Sequence, residues 1–478
     1  MIDRQSKIIA TLGPATDGYE ATTRLLKAGV DVVRLNMSHS DHKLLRQRVN
    51  MVKKVAAEIN RVVAILVDLQ GPKIRVASFE NDSVQLKKGD AFTLVVGMTK
   101  PGNQTCVGVT YPKLTKDCKK GDIILLDDGR ITMRVIAISG KQVQCKVING
   151  GILSNRKGLN KKGGGISAAS ITTKDRQDIQ AAAQIGADYV AVSFVRSADD
   201  IKLTRKLLTQ AGGDAGIIAK IETSEAVSSY AQLLAIVQAS DGSMLARGDL
   251  GVEIGETQLI GMQKDLITMC RANDKISIIA TQMMETMIES PTPTRAEVSD
   301  VANAVLDGSD AVMLSAETAA GKHPHLVVET MASICLGAAS YHGGFSNRAA
   351  AENTDGLADD NINRKIARSA VQAANSISKV VALVSLTESG SSALHMSRMN
   401  TEIPIFGLSR HPKTLRKMAL YRDVVPMYFN QPPKDVGVAV LKFMREQKLM
   451  RKGERMVLTS GTQRLVSGGT NTMRVLEA

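Results

Sequence analysis

Three features of the sequence predict an α/β protein built on a (β/α)8 TIM barrel, with an inserted small β-barrel domain and a C-terminal α/β domain. Apolar runs alternate with amphipathic stretches, and one such unit is interrupted by a long segment rich in Gly, Val and Thr. A junction of glycine, aspartate and a following apolar run recurs at Gly29-Val30-Asp31, Gly186-Ala187-Asp188 and Gly308-Ser309-Asp310. Glycine at a helix end followed by a continuous apolar run is typical of a parallel sheet.

The apolar runs number eight, the strand count of a closed (β/α)8 barrel, whose active site lies at the C-terminal ends of its strands. The predicted strands are residues 7–12, 31–36, 63–69, 188–194, 216–221, 243–247, 277–281 and 310–315. Helical patterns follow most of them, at 41–60, 172–185, 199–210, 223–238 and 295–306. A doubly wound sheet is the alternative, but no GxGxxG fingerprint follows the first strand.

The unit that ends its strand at Asp68 does not continue into a barrel helix until about Thr172. Short strand-like runs at 91–96, 122–127 and 131–138 fill the interval and predict a small all-β domain inserted in a barrel loop. Such an insert would hang over the barrel mouth and could act as a lid.

A further α/β pattern begins at residue 361, with a helix at 361–377 and strands near 380–386, 404–408, 424–428 and 455–460. Its turns at 387–392 and 461–470 are rich in Gly, Ser and Thr, which can bind phosphate through backbone N–H groups, although flexible turns have the same composition. We therefore expect four segments: barrel 1–71, insert 72–168, barrel 169–342 and C-terminal domain 343–478.

Composition limits the compartment and the partners. Apolar content of 44% and charged content of 23% are normal for a globular protein. Because no membrane-length apolar run and no signal peptide are present, we expect a cytoplasmic protein with no membrane partner. Five scattered cysteines suit reduced thiols. The net charge of +14 suits small anionic substrates; 3% aromatic residues and no Trp argue against a nucleic-acid partner.

Polar residues gather just past the ends of the predicted strands. They are Arg34, Asn36, Ser38 and His39 after strand two; Asp68, Lys73 and Arg75 after strand three; Lys220, Glu222, Gly248 and Asp249 after strands five and six; and Thr281, Gln282, Ser315 and Glu317 after strands seven and eight. Singly, each has a structural explanation: Asn36 and Ser38 could cap a helix, and Arg34 could pair with Asp68. Together they indicate a site, because polar residues concentrate at one end of a barrel where that end is functional.

Two stretches define the chemistry of this end. Ile218–Glu222 and Ala246–Gly251 place one lysine and two carboxylates at the ends of consecutive strands. Two acids suit Mg²⁺, and arginines with a lysine suit a phosphoryl group. A structural Lys–Glu pair is the alternative for either stretch alone. The residues therefore predict a Mg²⁺-dependent phosphoryl-transfer or phosphorylated-carboxylate site; no HExxH motif or Ser–His–Asp arrangement supports a zinc enzyme or hydrolase.

From end to end the chain resembles the pyruvate kinase family. The most specific stretch is Ala280-Thr281-Gln282-Met283-Met284-Glu285-Thr286-Met287, followed by Pro291-Thr292-Pro293-Thr294-Arg295. The resemblance implies a glycolytic homotetramer that transfers phosphate from phosphoenolpyruvate to ADP, giving pyruvate and ATP, with Mg²⁺ or Mn²⁺ as cofactor. A metal-dependent barrel lyase acting on pyruvate or oxaloacetate-type acids is the alternative enzyme, and a basic nucleic-acid or phosphate-sensing module is the non-enzymatic one.

The resemblance also assigns roles to matched positions. It implies catalytic residues Lys220, Thr281 and Arg75; metal ligands Glu222 and Asp249; substrate contacts Arg34, Gly248, Asp249, Thr281 and Lys220; and nucleotide contacts Asn36, His39, Arg75 and Lys157.

Two departures from the family pattern lead to further expectations. Many members hold K⁺ with residues matching Asn36, Ser38, Asp68 and a threonine, with a glutamate a few residues on. This chain has Leu69 and Lys73 at the last two positions, so we predict that K⁺ is not required and that Lys73 supplies the charge.

The second departure concerns the effector loops of the C-terminal domain. An effector phosphate is expected at Thr387, Ser389, Ser391, Ser392 and Arg464. Because Glu388 is poorly suited to a second phosphate, we expect a sugar monophosphate or AMP as activator rather than fructose bisphosphate.

Overall fold

Eight parallel strands close into a barrel in the computed structural model, which describes residues 4–38, 41–340, 361–430, 435–462 and 468–478. The barrel strands are β1 (Lys7–Thr11), β2 (Val32–Asn36), β3 (Ala64–Asp68), β12 (Tyr189–Val192), β13 (Gly216–Ile221), β14 (Gly242–Ala246), β15 (Ile276–Ala280) and β16 (Ala311–Leu314). Their order around the barrel is β1-β16-β15-β14-β13-β12-β3-β2. This closure confirms the predicted (β/α)8 fold and excludes the doubly wound sheet.

The barrel strands are apolar on both faces because each lies between two layers of side chains. Ile9 and Leu66 belong to one buried cluster, formed with the interior-facing residues of the other strands. Their neighbours Ile8 and Ile65 belong to a second cluster, which packs against the surrounding helices. Continuous apolar runs in the sequence are the consequence of this two-sided burial.

Helices connect the strands around the outside. They are α1 (Tyr19–Lys27), α2 (His42–Glu58), α4 (Thr173–Ile185), α5 (Ala198–Gln210), α6 (Tyr230–Ala239), α7 (Arg247–Ile254), α8 (Glu256–Ala272), α9 (Arg295–Leu306), α10 (Ala316–Ala319) and α11 (Pro324–Ser340), with α3 (Leu114–Asp117) in the insert. Asp41 caps α2 by accepting the Leu44 N–H at 2.7 Å, so Asn36 and Ser38 do not cap it. The helix expected at 223–238 begins only at Tyr230, where the Ser229 hydroxyl caps it and residues 223–229 form turns.

A segment made mostly of β-strands interrupts the barrel between β3 and α4. Its strands are β4 (Ser83–Leu86), β5 (Ala91–Val96), β6 (Cys106–Val109), β7 (Ile123–Leu126), β8 (Ile131–Ser139), β9 (Gln142–Asn149), β10 (Gly151–Ser154) and β11 (Leu159–Lys161). They form a six-stranded sheet, β11-β7-β8-β9-β5-β6, and a two-stranded sheet, β10-β4. Phe92, Val107, Ile124 and Met133 lie in a buried cluster that belongs to this segment.

The C-terminal α/β domain has a five-stranded sheet of order β19-β18-β17-β20-β21. Its elements are α12 (Ile362–Ser376), β17 (Val380–Leu386), α13 (Ser391–Ser397), β18 (Ile405–Ser409), α14 (Pro412–Met418), β19 (Val424–Tyr428), α15 (Val436–Glu446), β20 (Arg455–Gly461) and β21 (Thr470–Glu477). The antiparallel edge strand β21 has no counterpart among the predicted strands. The expected boundary at 342/343 lies outside the described residues. Within the described ranges, no helix combines the length and apolar character needed to cross a bilayer.

The aspartates of the repeated junction cap the starts of neighbouring strands. Asp31 accepts the Ile8 N–H and Asp188 accepts the Ile65 N–H, each at 2.9 Å. Asp310 accepts the Ser277 N–H at the same distance. Each carboxylate thereby satisfies a backbone donor at the N-terminal face of the barrel, which explains why aspartate recurs at this position.

The C-terminal domain docks on this face through buried ion pairs. Arg416 of α14 lies 2.9 Å from Asp188, and Arg398 donates to both carboxylate oxygens of Asp310. Burial alone would raise the pKa of Asp310, but the charge and hydrogen bonds of Arg398 lower it below its ordinary value. The interface therefore lies at the opposite end of the barrel from the polar strand ends.

Replacing Arg398 with methionine should destabilise the protein by about 3–5 kcal/mol, because Asp310 would remain buried without its cation. The contribution of the pair should be fully present above the ordinary pKa of aspartate and be lost as the pH falls through the lowered pKa of Asp310. Denaturant titrations at neutral and acidic pH measure both effects. Arg455→Met, which breaks the exposed pair with Glu477, is the matched control, and an equal loss in the two variants would contradict the prediction.

Candidate active site

Three charged residues, Lys220, Glu222 and Asp68, meet at the C-terminal ends of β13 and β3. Lys220 Nζ lies 2.8 Å from Glu222 Oε1 and 3.3 Å from Asp68 Oδ1. The side chains of Asp68 and Glu222 are each 1% exposed, and that of Lys220 is 12% exposed. Three ionised groups are thus held in a nearly dry site, where their charges interact strongly.

The charge states of these groups follow from their mutual contacts. Burial alone would lower the pKa of Lys220, but Asp68 and Glu222 raise it above its ordinary value. Burial would raise the pKa of Asp68, but Lys220 and Arg34 lower it. The pKa of Glu222 is raised by burial and by the nearby charge of Asp249, which Lys220 offsets only in part. Lys220 therefore stays cationic at neutral pH, and the carboxylates of Glu222 and Asp249 repel each other.

Arg34 forms an ion pair with Asp68, the structural explanation that the sequence left open for Arg34 in place of a role in binding. Its Nε lies 2.7 Å from Asp68 Oδ2, and its Nη1 donates to Thr11 Oγ1 at 3.0 Å. These two bonds orient the guanidinium at the barrel mouth, and its five N–H donors are not all used by the hydrogen bonds found in the described residues. Pairing with Asp68 is therefore compatible with binding a phosphate.

Asp249 lies in the first turn of α7, and its side chain is 23% exposed. The Gly248 N–H next to it donates to Thr281 Oγ1 at 2.9 Å, while the Thr281 hydroxyl donates to the Ala280 carbonyl at 2.6 Å. Gly248, Asp249 and Thr281, predicted as one substrate-contacting group, are thus brought together where β14 and β15 end.

The backbone at the end of β15 is strained. Thr281 and Gln282 have φ values of 68° and 55°, in the left-handed region that residues other than glycine, and above all β-branched residues such as threonine, rarely adopt. Arg247 holds this conformation by donating to the Thr281 carbonyl at 2.7 Å while pairing with Asp300 at 2.6 Å. No role was assigned to Arg247 or Asp300 from the sequence. Arg247 lies within the stretch Ala246–Gly251, and Asp300 lies in none of the motifs that were recognised.

The residues expected around a monovalent ion lie at the ends of β2 and β3. Asn36 and Asp68 are paired in register on adjacent strands, and Asn36 Oδ1 accepts the Ser38 N–H at 3.0 Å. Within the described residues, Asp68 Oδ1 accepts no hydrogen bond of normal geometry, although Lys220 Nζ is near it. Lys73 forms its ion pair with Asp249, at 3.4 Å. The charge of Lys73 is therefore next to the predicted metal ligand in this structure.

Arg75 and Lys157 lie beside each other on the insert. Arg75 forms a β-bridge with Gly158 and donates to the Arg156 carbonyl at 2.9 Å. Lys157 Nζ lies 2.7 Å from Asp127 Oδ1, also in the insert. The structure thus brings two of the four predicted nucleotide contacts together, while His39 lies outside the described residues.

A small cleft of about 50 Å³ lies between the insert and the barrel. Lys73, Asn160, Phe194 and Glu253 are among its lining residues. Glu253 accepts the Ser224 N–H at 2.8 Å, and burial raises its pKa to about 7. Three glycines with left-handed backbone conformations, Gly163, Gly164 and Gly165, follow β11 where the insert returns to the barrel.

The predicted effector loop forms the turn between β17 and α13. Thr387 Oγ1 accepts the Gly390 N–H at 2.9 Å, and Ser389 donates to Ser391 at 3.2 Å. Ser392 is buried and donates to Asn363. Glu388 is paired with His411 at 2.5 Å and with Arg410 at 3.4 Å. Arg464 lies outside the described residues.

The two predicted metal ligands fit a hard divalent cation whose remaining coordination positions are filled by oxygens of the substrate. The described residues contain no group of three or more His, Cys, Asp or Glu that could enclose a metal ion by itself. Glu222 and Asp249 instead provide two mutually repelling carboxylates, and a cation between them would relieve the repulsion that raises the pKa of Glu222. Mg²⁺ commonly binds one or two carboxylates together with substrate oxygens.

Fold and site together define a class: a barrel enzyme that handles phosphorylated anions beneath an inserted β segment. Models of the barrel domain and the alpha/beta domain of pyruvate kinase match residues 3–328 and 364–476. The chain belongs to the pyruvate kinase family and is a phosphotransferase.

Curated relatives support this assignment over the whole chain. "Pyruvate kinase II" of Salmonella typhimurium is 47% identical over 476 residues, covering 99% of this chain and 98% of the relative. "Pyruvate kinase" of Haemophilus influenzae is 45% identical with the same coverage. "Pyruvate kinase" of Thermotoga maritima is 38% identical, covering 99% of each chain. The lyase and the non-enzymatic module, left open by the sequence, are excluded by this membership.

Proposed function

We propose that this member of the pyruvate kinase family acts in glycolysis with Mg²⁺, transferring the phosphoryl group of phosphoenolpyruvate to ADP. The buried ion cluster of Lys220, Glu222 and Asp68, with Asp249 beside it, is the observation on which the proposal rests. The P–O bond to the enol oxygen breaks, a bond to the terminal phosphate oxygen of ADP forms, and the enolate takes up a proton to give pyruvate.

Each predicted side chain then has a defined task. Lys220, cationic because of its raised pKa, neutralises charge on the phosphoryl group in flight. Glu222 and Asp249 hold the Mg²⁺, which supplies charge neutralisation at the substrate oxygens; Mn²⁺ can replace it. Arg34 and Arg75 bind phosphate oxygens, and Arg75, Asn36, His39 and Lys157 contact the nucleotide.

The substrate carboxylate is placed at the start of α7. The Gly248 N–H donates to the Thr281 hydroxyl, and the Asp249 N–H lies in the first turn of the helix, where a negative charge is favoured. Thr281 lies beside them and faces the enolate when its proton is added, with water as a possible proton carrier. The strained backbone at Thr281 fixes its hydroxyl in this position.

Lys220→Met should reduce kcat by roughly 10²–10³-fold, because a preorganised charge at the transition state is lost. A lactate dehydrogenase-coupled assay with and without ADP and Mg²⁺ measures it, and wild-type pyruvate release should require both. Lys202→Met, at an exposed lysine, is the control and should keep full activity. Pyruvate formation without ADP, or a fully active Lys220→Met variant, would contradict the proposed function.

K⁺ independence is a separate part of the proposal. Asp68 Oδ1 is buried without a normal hydrogen bond, and Leu69 provides no side-chain oxygen to help bind an ion. Lys73 lies 3.4 Å from Asp249, the proposed metal ligand, and supplies a fixed positive charge beside it.

Activity in buffers containing only sodium or tetramethylammonium should therefore be within about twofold of that with K⁺. The variant Leu69→Thr, Lys73→Glu should acquire K⁺ dependence, because it restores the oxygen ligands and removes the ammonium. Steady-state rates at matched ionic strength test both expectations. Several-fold activation of the wild-type enzyme by K⁺ would refute this part.

Allosteric activation by a sugar monophosphate or AMP is proposed for the C-terminal domain, in a cytoplasmic homotetramer of the kind that the resemblance implies. Thr387, Ser389 and Ser391 lie in one turn whose hydroxyl and backbone N–H groups suit one phosphate. The Ser392 hydroxyl is bonded instead to Asn363 and Thr470, and the part of Arg464 in this site is an expectation from the sequence. Glu388 next to them would repel a second phosphate.

Ribose 5-phosphate, glucose 6-phosphate or AMP should therefore lower the half-saturating concentration of phosphoenolpyruvate more than fructose 1,6-bisphosphate does. Saturation curves with each compound measure this shift. Ser391→Asp should abolish the response and leave the unactivated rate unchanged, because it places a second carboxylate in the loop. Selective activation by the bisphosphate would reverse the conclusion.

A further inference from the structure

The Lys220 ammonium has three oxygen neighbours in the structure, of which Asp68 Oδ1 is an ion-pair partner without a normal hydrogen bond. Two are carboxylates, Glu222 Oε1 at 2.8 Å and Asp68 Oδ1 at 3.3 Å. The third is the hydroxyl of Ser193, whose Oγ accepts from Lys220 Nζ at 2.8 Å. Ser193 follows β12 directly and is 2% exposed. No role was assigned to it from the sequence.

Glu222 has two competing partners in the proposed mechanism. It binds the Lys220 ammonium in the structure, and it is also the proposed ligand of Mg²⁺. A divalent cation on this carboxylate repels the ammonium and weakens its bond to Glu222. Lys220 then needs a hydrogen-bond acceptor that does not bind the metal. Without one, its ammonium is no longer held in the orientation that faces the phosphoryl group.

The Ser193 hydroxyl meets this requirement. It donates its proton to the Leu69 carbonyl at 2.7 Å, so that its lone pairs are left to face the lysine. The neighbouring Phe194 N–H donates to Glu222 Oε2 at 2.8 Å. One turn therefore holds the lysine through a hydroxyl and the glutamate through a backbone donor.

Close packing makes this turn rigid. Phe194 has a φ of 53°, an unusual conformation for a bulky residue. A Cβ at Gly71, whose φ is 65°, would lie only 2.8 Å from Ser193 Cβ and 2.9 Å from Phe194 Cδ2. Only glycine permits the loop after β3 to approach the turn so closely. The hydroxyl is thus fixed independently of the lysine and of any metal.

We propose that Ser193 is a positioning residue, which keeps the Lys220 ammonium directed at the transferring phosphoryl group while a divalent cation occupies Glu222. This inference deepens the proposed function and rests on it. Without the hydroxyl, the lysine depends more on Glu222 and competes more strongly with the metal for that carboxylate.

Ser193→Ala should therefore affect metal binding as well as catalysis. We expect the Kd of Mn²⁺, measured without substrate by electron paramagnetic resonance, to rise about three- to fivefold. We expect kcat to fall about tenfold, the usual consequence of removing one hydrogen bond to a charged group, while the KM for phosphoenolpyruvate stays within about twofold. Ser193→Cys, with a weaker acceptor, should give intermediate values for Kd and kcat.

Ser243→Ala is the matched control, since Ser243 is a fully buried serine of the adjacent barrel strand β14 that makes no described contact with Lys220. It should leave Kd and kcat unchanged. Wild-type kcat and Mn²⁺ affinity in Ser193→Ala, or equal losses in Ser243→Ala, would overturn the inference. If Ser193→Ala does not fold, Ser193→Cys decides by the same two measurements. An inactive wild-type enzyme would instead refute the proposed function.

Discussion

A buried charge cluster at the top of the barrel is the constraint on which the rest of the site depends. An isolated ammonium or carboxylate in such a dry position costs several kcal/mol, so none of Lys220, Glu222 and Asp68 is tolerable there without the others. The ends of two strands, β13 and β3, supply this compensation. The barrel is thus more than a neutral support, because its register determines which charges can be buried together.

Much of this arrangement was predictable from the sequence, because a parallel barrel turns chain order into spatial order. Once the apolar runs were recognised as strands, the residues just past them had to converge, and Lys220, Glu222, Asp249 and Thr281 do so. Asp68 and Arg34 were predicted at the same end, and their ion pair shows that a structural and a binding explanation can hold for one residue.

Other features depend on information that local sequence does not hold. The left-handed backbone at Phe194 and Thr281 is stabilised by distant partners, Glu222 and Arg247, and no residue preference predicts it. The late start of α6 at Tyr230 has the same origin, since residues 223–229 are held in turns by contacts with the insert, such as Glu225 with Gly165. The pairing of Lys73 with Asp249 likewise depends on how the insert folds back over the barrel.

The ion pairs on the opposite face of the barrel bear on the order of folding during synthesis. Asp188 and Asp310 leave the ribosome with the barrel, whereas their cations, Arg416 and Arg398, follow much later in the chain. Until then, the carboxylates on the N-terminal face of the barrel must stay hydrated or protonated. Water therefore cannot be fully excluded from the N-terminal ends of the barrel strands. Full burial of this face of the barrel therefore depends on the C-terminal domain, which supplies the cations for Asp188 and Asp310.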